Sequence, residues 1–184
     1  MDSMSEAQRK FSNAIRLGTI AEVDAAKALC RVKSGDVSTD WIPWATNLAG
    51  SAITWSAPSV GEQIILLCPD GDTHGAVAVR GLYSDANPAP AASPDLHLIQ
   101  FPDGALLQYD SAAHALQAIL PGGGTARLQA DGGMTLVGPV TIEGDVTING
   151  KTTASDDVIA GGISLMNHPH GGIQRGGAKT DPPE

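Results

Sequence analysis

The sequence predicts an all-β fold. Only 4% of its 184 residues are aromatic, whereas 22 are glycine and 12 are proline. Small aliphatic residues and threonine fill most apolar positions, which suits thin β structure better than a helical bundle. Beyond the N-terminus, short apolar segments alternate with turn signals, and no long helical periodicity is visible.

Residues 1–17 are predicted to form a helical arm. Apolar residues recur at helical spacing over residues 3–17, and Gly18 is expected to end the helix; these apolar residues are Ala7, Phe11, Ala14 and Ile15. Two interpretations stay open: the helix docks on its own domain, or it contacts a neighbouring assembly protein.

Residues 18–84 are predicted to form a small closed barrel. Turn signals such as Ser34-Gly35-Asp36 and Ala57-Pro58-Ser59 separate segments of strand-like composition. Several short strands in one small segment are typical of an OB-fold. The candidate strands are residues 19–23, 27–33, 40–45, 52–56, 62–68 and 76–82.

A linker rich in proline, alanine and serine, residues 85–95, is expected to separate the barrel from a second β region, residues 96–162. In that region glycine recurs every six residues from Gly138 to Gly150, and Val-Thr-Ile triplets occupy 140–142 and 146–148.

The Val-Thr-Ile triplets predict strands that need partners. Alternation places Val and Ile on one face and Thr on the other, and strands of three or four residues are not stable alone. Such repeats bury their apolar faces by stacking or by winding with other copies. A parallel β-helix of one chain and a β-helix shared by three chains both fit, and the shortness of the segment favours the shared form.

The best candidate site is His168-Pro169-His170, within the C-terminal segment 163–184. In extended backbone, residues i and i+2 point to the same side, and Pro169 favours that geometry. One pair supplies two imidazoles, but three chains around a threefold axis supply six. Six imidazoles suit an octahedral ion better than zinc. Iron(II) is the expected ion, with nickel or cobalt as substitutes.

No catalytic constellation is visible, so a non-enzymatic protein is expected. His74, His97 and His114 are scattered, and the sequence has no GxSxG, HExxH or Walker motif. Carboxylates near glycine in the repeat region are interpreted as solvated turn residues, with a calcium or acid–base role as the alternative: Glu143, Asp145, Asp156 and Asp157.

Tryptophan and cysteine are interpreted as structural. The three tryptophans are Trp41, Trp44 and Trp55. They are expected in the barrel core or an interface, and a sugar-binding groove is the alternative. Cys30 and Cys68 lie among aliphatic residues and are expected to be buried free thiols rather than a disulfide.

The net charge of −9 argues against nucleic acid as a partner, because that affinity comes from Lys and Arg. It also argues against docking on an anionic membrane surface. The N-terminus has no apolar signal sequence, and no apolar run approaches the ~18 residues of a membrane span. We expect synthesis in the cytoplasm without a signal peptide, and exit by lysis or through a machine.

The chain resembles baseplate assembly protein V, the central spike of contractile-tailed phages, and the equivalent spike of R-type pyocins. The resemblance covers essentially the whole chain. It is carried by Thr39-Asp40-Trp41 with Trp44, by residues 55–63, by Pro69-Asp70-Gly71-Asp72, by residues 81–88, by Phe101-Pro102-Asp103-Gly104 and by the C-terminal His168-Pro169-His170.

The resemblance implies a homotrimer with an OB-fold collar, an intertwined triple-stranded β-helix and a small metal-capped apex. One iron ion per trimer would be held by His168 and His170 of all three chains. The implied protein sits in a virion or tailocin baseplate on hub and tail tube proteins, is released by lysis, and punctures the bacterial outer membrane on sheath contraction.

Some larger phage spikes carry a lysozyme domain where this chain has only the linker at 85–95, which speaks against peptidoglycan hydrolysis. Two alternatives stay open: the spike of a related secretion system, and a glycan-binding or hydrolytic tail module.

Overall fold

The computed structural model describes residues 2–169 and Gly172. The chain divides into two units, residues 1–126 and 127–184. Strands outnumber helices throughout the described part, so the predicted all-β character is confirmed. The division falls beyond the linker at 85–95, and the domain limits predicted from the sequence stay predictions.

The first unit opens with a helix and a six-stranded antiparallel sheet. The elements are α1 Asp2–Ala14, β1 Ile15–Asp24, β2 Leu29–Ser34, β3 Val37–Ser38, β4 Ile42–Pro43, β5 Gln63–Leu67 and β6 Val77–Leu82. In the sheet β1 lies between β2 and β5, β3 and β4 pair with β2, and β6 pairs with β5. A short 3-10 turn, Pro69–Gly71, lies between β5 and β6 in the sequence.

The first helix ends earlier than the sequence predicted. It stops at Ala14, and β1 begins at Ile15, so Gly18 lies inside a strand and not at a helix end. Gly18 has a packing role instead, because a Cβ there would lie 2.5 Å from Cγ1 of Val32 and 3.2 Å from the carbonyl oxygen of Lys33. Its missing side chain lets β1 and β2 approach closely.

Two of the predicted strands are largely lost in the structure. The segment 40–45 keeps only Ile42–Pro43 as a strand, and the next two residues contact Ala78 on another strand instead, through a bridge from Trp44 and a hydrogen bond from the N–H of Ala45. The segment 52–56 is reduced to an isolated bridge between Ile53 and Ala49.

The barrel core is small and aliphatic. Alternation along β2 and β5 turns every second side chain inward, and the core is made of Ile20, Cys30, Val32, Ile42, Ile64, Leu66, Cys68, Ala76 and Ala78. Both cysteines are buried and free, as predicted. Burial raises the pKa of both thiols, which keeps them protonated at neutral pH.

An ion pair joins β6, through Arg80, to Glu62 at the end of the loop that precedes β5. Nε and Nη2 of Arg80 donate to the two carboxylate oxygens of Glu62 at 2.7 and 2.9 Å. The backbone N–H of Ser59 donates to the same carboxylate at 3.0 Å. Both side chains are mostly buried, so the bidentate geometry is shielded from water and contributes more than an exposed pair.

A separate three-stranded antiparallel sheet completes the first unit. Its strands are β7 Leu96–Gln100, β8 Leu106–Asp110 and β9 Ala115–Ile119, in that order. The carboxylate of Asp110 closes the second hairpin by accepting N–H bonds from Ala112 and Ala113 at 2.9 and 3.0 Å. The region predicted as a β-helix thus starts, within one chain, as an antiparallel meander.

The second unit has little regular structure in one chain. Its described residues contain one hairpin, β10 Ile159–Ala160 and β11 Ile163–Ser164, joined through Gly161-Gly162. Both glycines have positive φ, 58° and 82°, which a two-residue hairpin turn requires. The repeat at 138–150 forms no strand, and its apolar side chains are exposed: Val140, Ile142, Val146 and Ile148.

Helix α1 docks on its own domain through a close approach to Gly71. A Cβ on Gly71 would lie 2.7 Å from the carbonyl oxygen of Lys10 and 2.8 Å from its Cα. The N–H of Cys68 also donates to the carbonyl of Ala14 at 2.8 Å. Phe11 remains 84% exposed, so the helix does not bury its largest apolar side chain.

We predict that Gly71→Ala loosens α1 whereas Gly61→Ala does not. Both glycines have positive φ, but nothing lies within 4 Å of a Cβ on Gly61. Each alanine should cost about 1–2 kcal/mol of backbone strain, and only the change at Gly71 should also push the helix away. Amide hydrogen exchange over residues 5–14 measures this; equal protection in the two variants would contradict it.

His74 links two loops of the barrel. Its Nδ1 lies 2.9 Å from Oδ1 of Asp72, and its Nε2 lies 3.7 Å from Oδ2 of Asp40. The hydrogen bond to Asp72, followed by the charges of both aspartates, raises the pKa of His74. The backbone N–H of His74, followed by its ring, lowers the pKa of Asp72.

We predict that Asp72→Asn lowers the pKa of His74 toward its ordinary value, whereas Asp70→Asn in the same turn leaves it unchanged. Because the folded pKa of His74 is raised, the contribution of this histidine to stability is complete below pH 6.5 and is lost as the pH rises through the folded value. An NMR titration of the imidazole measures the shift. Identical titration curves in the two variants would show that the pairing is not formed.

Candidate metal site at the C-terminal apex

His168 follows the hairpin formed by β10 and β11, which is called the apex hairpin below. A backbone carbonyl of that hairpin holds the imidazole ring. Nδ1 lies 2.8 Å from the carbonyl oxygen of Ser164. A carbonyl can only accept, so Nδ1 carries the hydrogen of this bond. In the neutral ring the lone pair then lies on Nε2, where it is available to a metal ion. Metal-binding histidines are usually oriented in this way, by a hydrogen bond from the ring nitrogen that does not bind the metal.

The second predicted ligand, His170, lies outside the described residues, and its place beside His168 stays a prediction. In the part of the chain that the structure describes, no three side chains of His, Cys, Asp or Glu come together in a way that could hold a metal ion. An ion at His168 therefore needs further donors from His170 and from other copies of the chain. Imidazole donors fit a transition metal better than calcium, which prefers oxygen ligands.

The hairpin beneath His168 is held by polar groups. The Asp157 carboxylate accepts the N–H of Met166 at 3.1 Å. A hydrogen bond from the Ser164 side chain, followed by that backbone N–H, lowers the pKa of Asp157. The sequence predicts Asp157 as a solvated turn carboxylate because it lies near glycine in the repeat region, and no local motif signals its contact with the Met166 N–H.

The other histidines do not converge on a site. His74 lies in a barrel loop, His97 lies on β7, and His114 occupies the tight turn between β8 and β9 with a φ of 54°. This dispersal agrees with the absence of a catalytic motif in the sequence.

The tryptophans are divided between core and surface. Trp44 packs against the barrel core, as predicted, and its ring centroid lies 5.7 Å from that of Trp55 at a tilt of 53°. Trp41 and Trp55 are 43% and 62% exposed, which does not fit a core position for either of them.

No helix between residues 2 and 169 is long and apolar enough to cross a membrane.

Two family models match this chain, one near each end of the sequence. Residues 16–83 match the family described as the type VI secretion system/phage-baseplate injector OB domain, and residues 162–184 match the GpV apex motif. The first match covers the six-stranded barrel and the second covers both candidate ligands, His168 and His170.

The spike protein of Escherichia phage P2 is 41% identical to this chain over 138 residues, which are 75% of this chain and 64% of the phage protein. The chain thus matches less than two thirds of the length of that relative. The barrel domain, the apex motif and this identity together show that the chain belongs to the family of phage-baseplate central spike proteins.

Proposed function

We propose that three copies of this chain form the membrane-piercing spike of a contractile phage tail or of a phage-tail-like bacteriocin. The observation that carries the proposal is the amount of apolar surface that one chain leaves uncovered in the segments that follow its barrel in the sequence. Spike-family members are structural proteins, which agrees with the absence of a catalytic motif in the sequence.

The three-stranded sheet supplies the first uncovered surface. Ile99, Leu107, Tyr109 and Leu116 lie on one face of it, since the strands pair Ile99 with Leu107 and Tyr109 with Leu116. These four side chains are between 41% and 81% exposed. Contiguous exposed apolar residues of this kind mark an interaction surface, and an identical face on another copy is the simplest cover.

The repeat at 138–150 supplies the second surface. Val140, Ile142, Val146 and Ile148 are between 57% and 63% exposed, and the backbone between them makes no ladder of its own. Winding three such segments around one axis would bury these side chains and pair their backbone groups. This is the triple-stranded β-helix predicted from the sequence.

The apex would then bring six imidazoles together, two from each chain. His168 contributes a ring oriented by the Ser164 carbonyl, and His170 lies two residues further along. Iron(II), when bound, would join the three C-terminal segments, which are otherwise the ends most prone to fray.

The proposed action is mechanical. Sheath contraction drives the tube and its spike into the bacterial outer membrane, and interwound strands resist peeling because each one is paired with its neighbours. The barrel would seat the trimer on hub and tail tube proteins in the baseplate of the virion or tailocin, where lysis of the producing cell releases it. Nucleic acid is not an expected partner at a net charge of −9 per chain.

The spike of a secretion system is the second candidate. The family that matches residues 16–83 is described for both type VI secretion systems and phage baseplates. Mass spectrometry of tail particles released by lysis distinguishes the two candidates. A phage or bacteriocin spike should be a stoichiometric component of these particles, whereas the spike of a secretion system should be absent from them.

We predict that native mass spectrometry with elemental analysis finds a trimer carrying one iron ion. His168→Ala combined with His170→Ala should lose the metal but keep the trimer, because the interwound segments and not the ion hold most of the assembly. His114→Ala, a change at an exposed turn histidine, serves as the control. A monomer or dimer without metal would refute the spike, and full iron in the double variant would refute the site.

We predict that Ile142→Asp weakens the trimer and that Thr141→Asp does not. The two residues are adjacent and both are exposed in one chain, but alternation places them on opposite faces. A carboxylate buried without a partner costs about 1–3 kcal/mol or more in each chain, whereas one on the outer face stays in water. Thermal unfolding and trimer mass measure the difference, and equal behaviour of the two variants would argue against an apolar interior at 142.

A further inference from the structure

We propose that Asp157 and Ser164 are positioning residues that fix the ring orientation and tautomer of His168. This inference deepens the proposed apex site and rests on it. Among residues 127–169 every side chain is exposed except these two, which are partly buried. The least exposed residues in this stretch are thus a polar pair, and one of them, Ser164, contacts the candidate ligand His168 through its backbone carbonyl.

Asp157 closes the open end of the apex hairpin. Strand pairing joins Ile159 to Ser164 and then stops. Beyond that point Leu165 still donates its N–H to the carbonyl of Val158 at 3.0 Å. The Asp157 carboxylate takes the next position by accepting the N–H of Met166 at 3.1 Å, so it continues the ladder with a side chain.

Ser164 connects this carboxylate to the imidazole. A hydrogen bond from its side chain lowers the pKa of Asp157, and its hydroxyl accepts the N–H of Asn167 at 2.8 Å. Its backbone carbonyl accepts the Nδ1–H of His168 at 2.8 Å. Ser164 is therefore linked to the carboxylate of Asp157 through its side chain and to the imidazole of His168 through its backbone.

The direction of each hydrogen bond follows from the charge of Asp157. An ionised carboxylate only accepts, so the Ser164 hydroxyl must donate to it. The oxygen lone pairs of that hydroxyl then remain for the Asn167 N–H. The hydrogen bonds from Ser164 and Met166 also lower the pKa of Asp157 and keep it ionised at neutral pH.

The consequence for His168 is a single tautomer. A fixed Ser164 carbonyl holds the hydrogen on Nδ1 and leaves the lone pair of the neutral ring on Nε2, the nitrogen that must meet the ion. Second hydrogen-bond partners of this kind change metal affinity by about 10- to 100-fold in known sites. In this arrangement Asp157 acts on the imidazole through Ser164.

The first test needs no metal. The full-length, metal-stripped protein is prepared with labelled histidine, and the nitrogen shifts of His168 report its tautomer. The wild type should be in the Nδ1–H form, and Asp157→Asn and Ser164→Ala should each move it toward a mixture with the Nε2–H form. Asp145→Asn removes the same charge from an exposed turn and should leave the ring unchanged.

Hydrogen exchange at the Leu165 amide shows whether the hairpin survives in each variant. A tautomer shift with that amide still protected supports positioning, since a merely structural role would lose both together. The double variant Asp157→Asn/Ser164→Ala should match the single ones, because they break one connected path. The wild-type tautomer in both single variants would overturn the proposal.

The second test uses cobalt(II) as the probe, and a chelator follows its release from the trimer. Asp157→Asn and Ser164→Ala should release it about 10- to 100-fold faster than Asp145→Asn, with a changed visible spectrum. If the wild type takes up no cobalt or iron, the apex site itself fails, and the tautomer measurement still decides the positioning. If the wild type binds and all three variants release the ion equally slowly, the site stands and the positioning role is refuted.

Discussion

The limited capacity of one chain to bury apolar surface governs the rest of this structure. The barrel buries a compact aliphatic core around Ile64 and Leu66, and this core is closed within the chain. In the sequence that follows it, residues such as Leu116, Val137 and Ile142 are more than 60% exposed. The barrel is complete by itself, whereas the segments that follow it have the composition of an interior and no second layer to form one.

Polar contacts are arranged differently in the two units. In the barrel they support a core that already exists: the Thr39 hydroxyl accepts the buried N–H of Val32 at 3.0 Å, and the Ser34 hydroxyl donates to the carbonyl of Leu17 at 2.7 Å. Throughout the described chain, no buried side-chain polar atom is left without a partner. In the described part of the C-terminal segment the apolar side chains are exposed, and hydrogen bonds that involve Asp157 and Ser164 accompany the hairpin.

The sequence by itself determined the features that depend on local pattern or composition. Turn residues and alternation predicted a β-rich OB domain in the N-terminal part of the chain, where a family model for such a domain matches. Aliphatic neighbours predicted the buried thiols of Cys30 and Cys68. The histidine pair at the C-terminus lies inside the matched apex motif. Each of these signals is carried by residues within a few positions of one another, so no knowledge of distant contacts was needed.

Only the tertiary structure decided the features that join distant residues. The helix ends at Ala14 because β1 pairs with β5 from Ile15 onward, and Gly18 is required by a strand that comes later in the chain. His74 meets the carboxylate of Asp40 from a separate loop, and the β10–β11 hairpin brings the N–H of Met166 to the carboxylate of Asp157. No local pattern encodes these pairs, because each one exists only after the chain has turned back on itself.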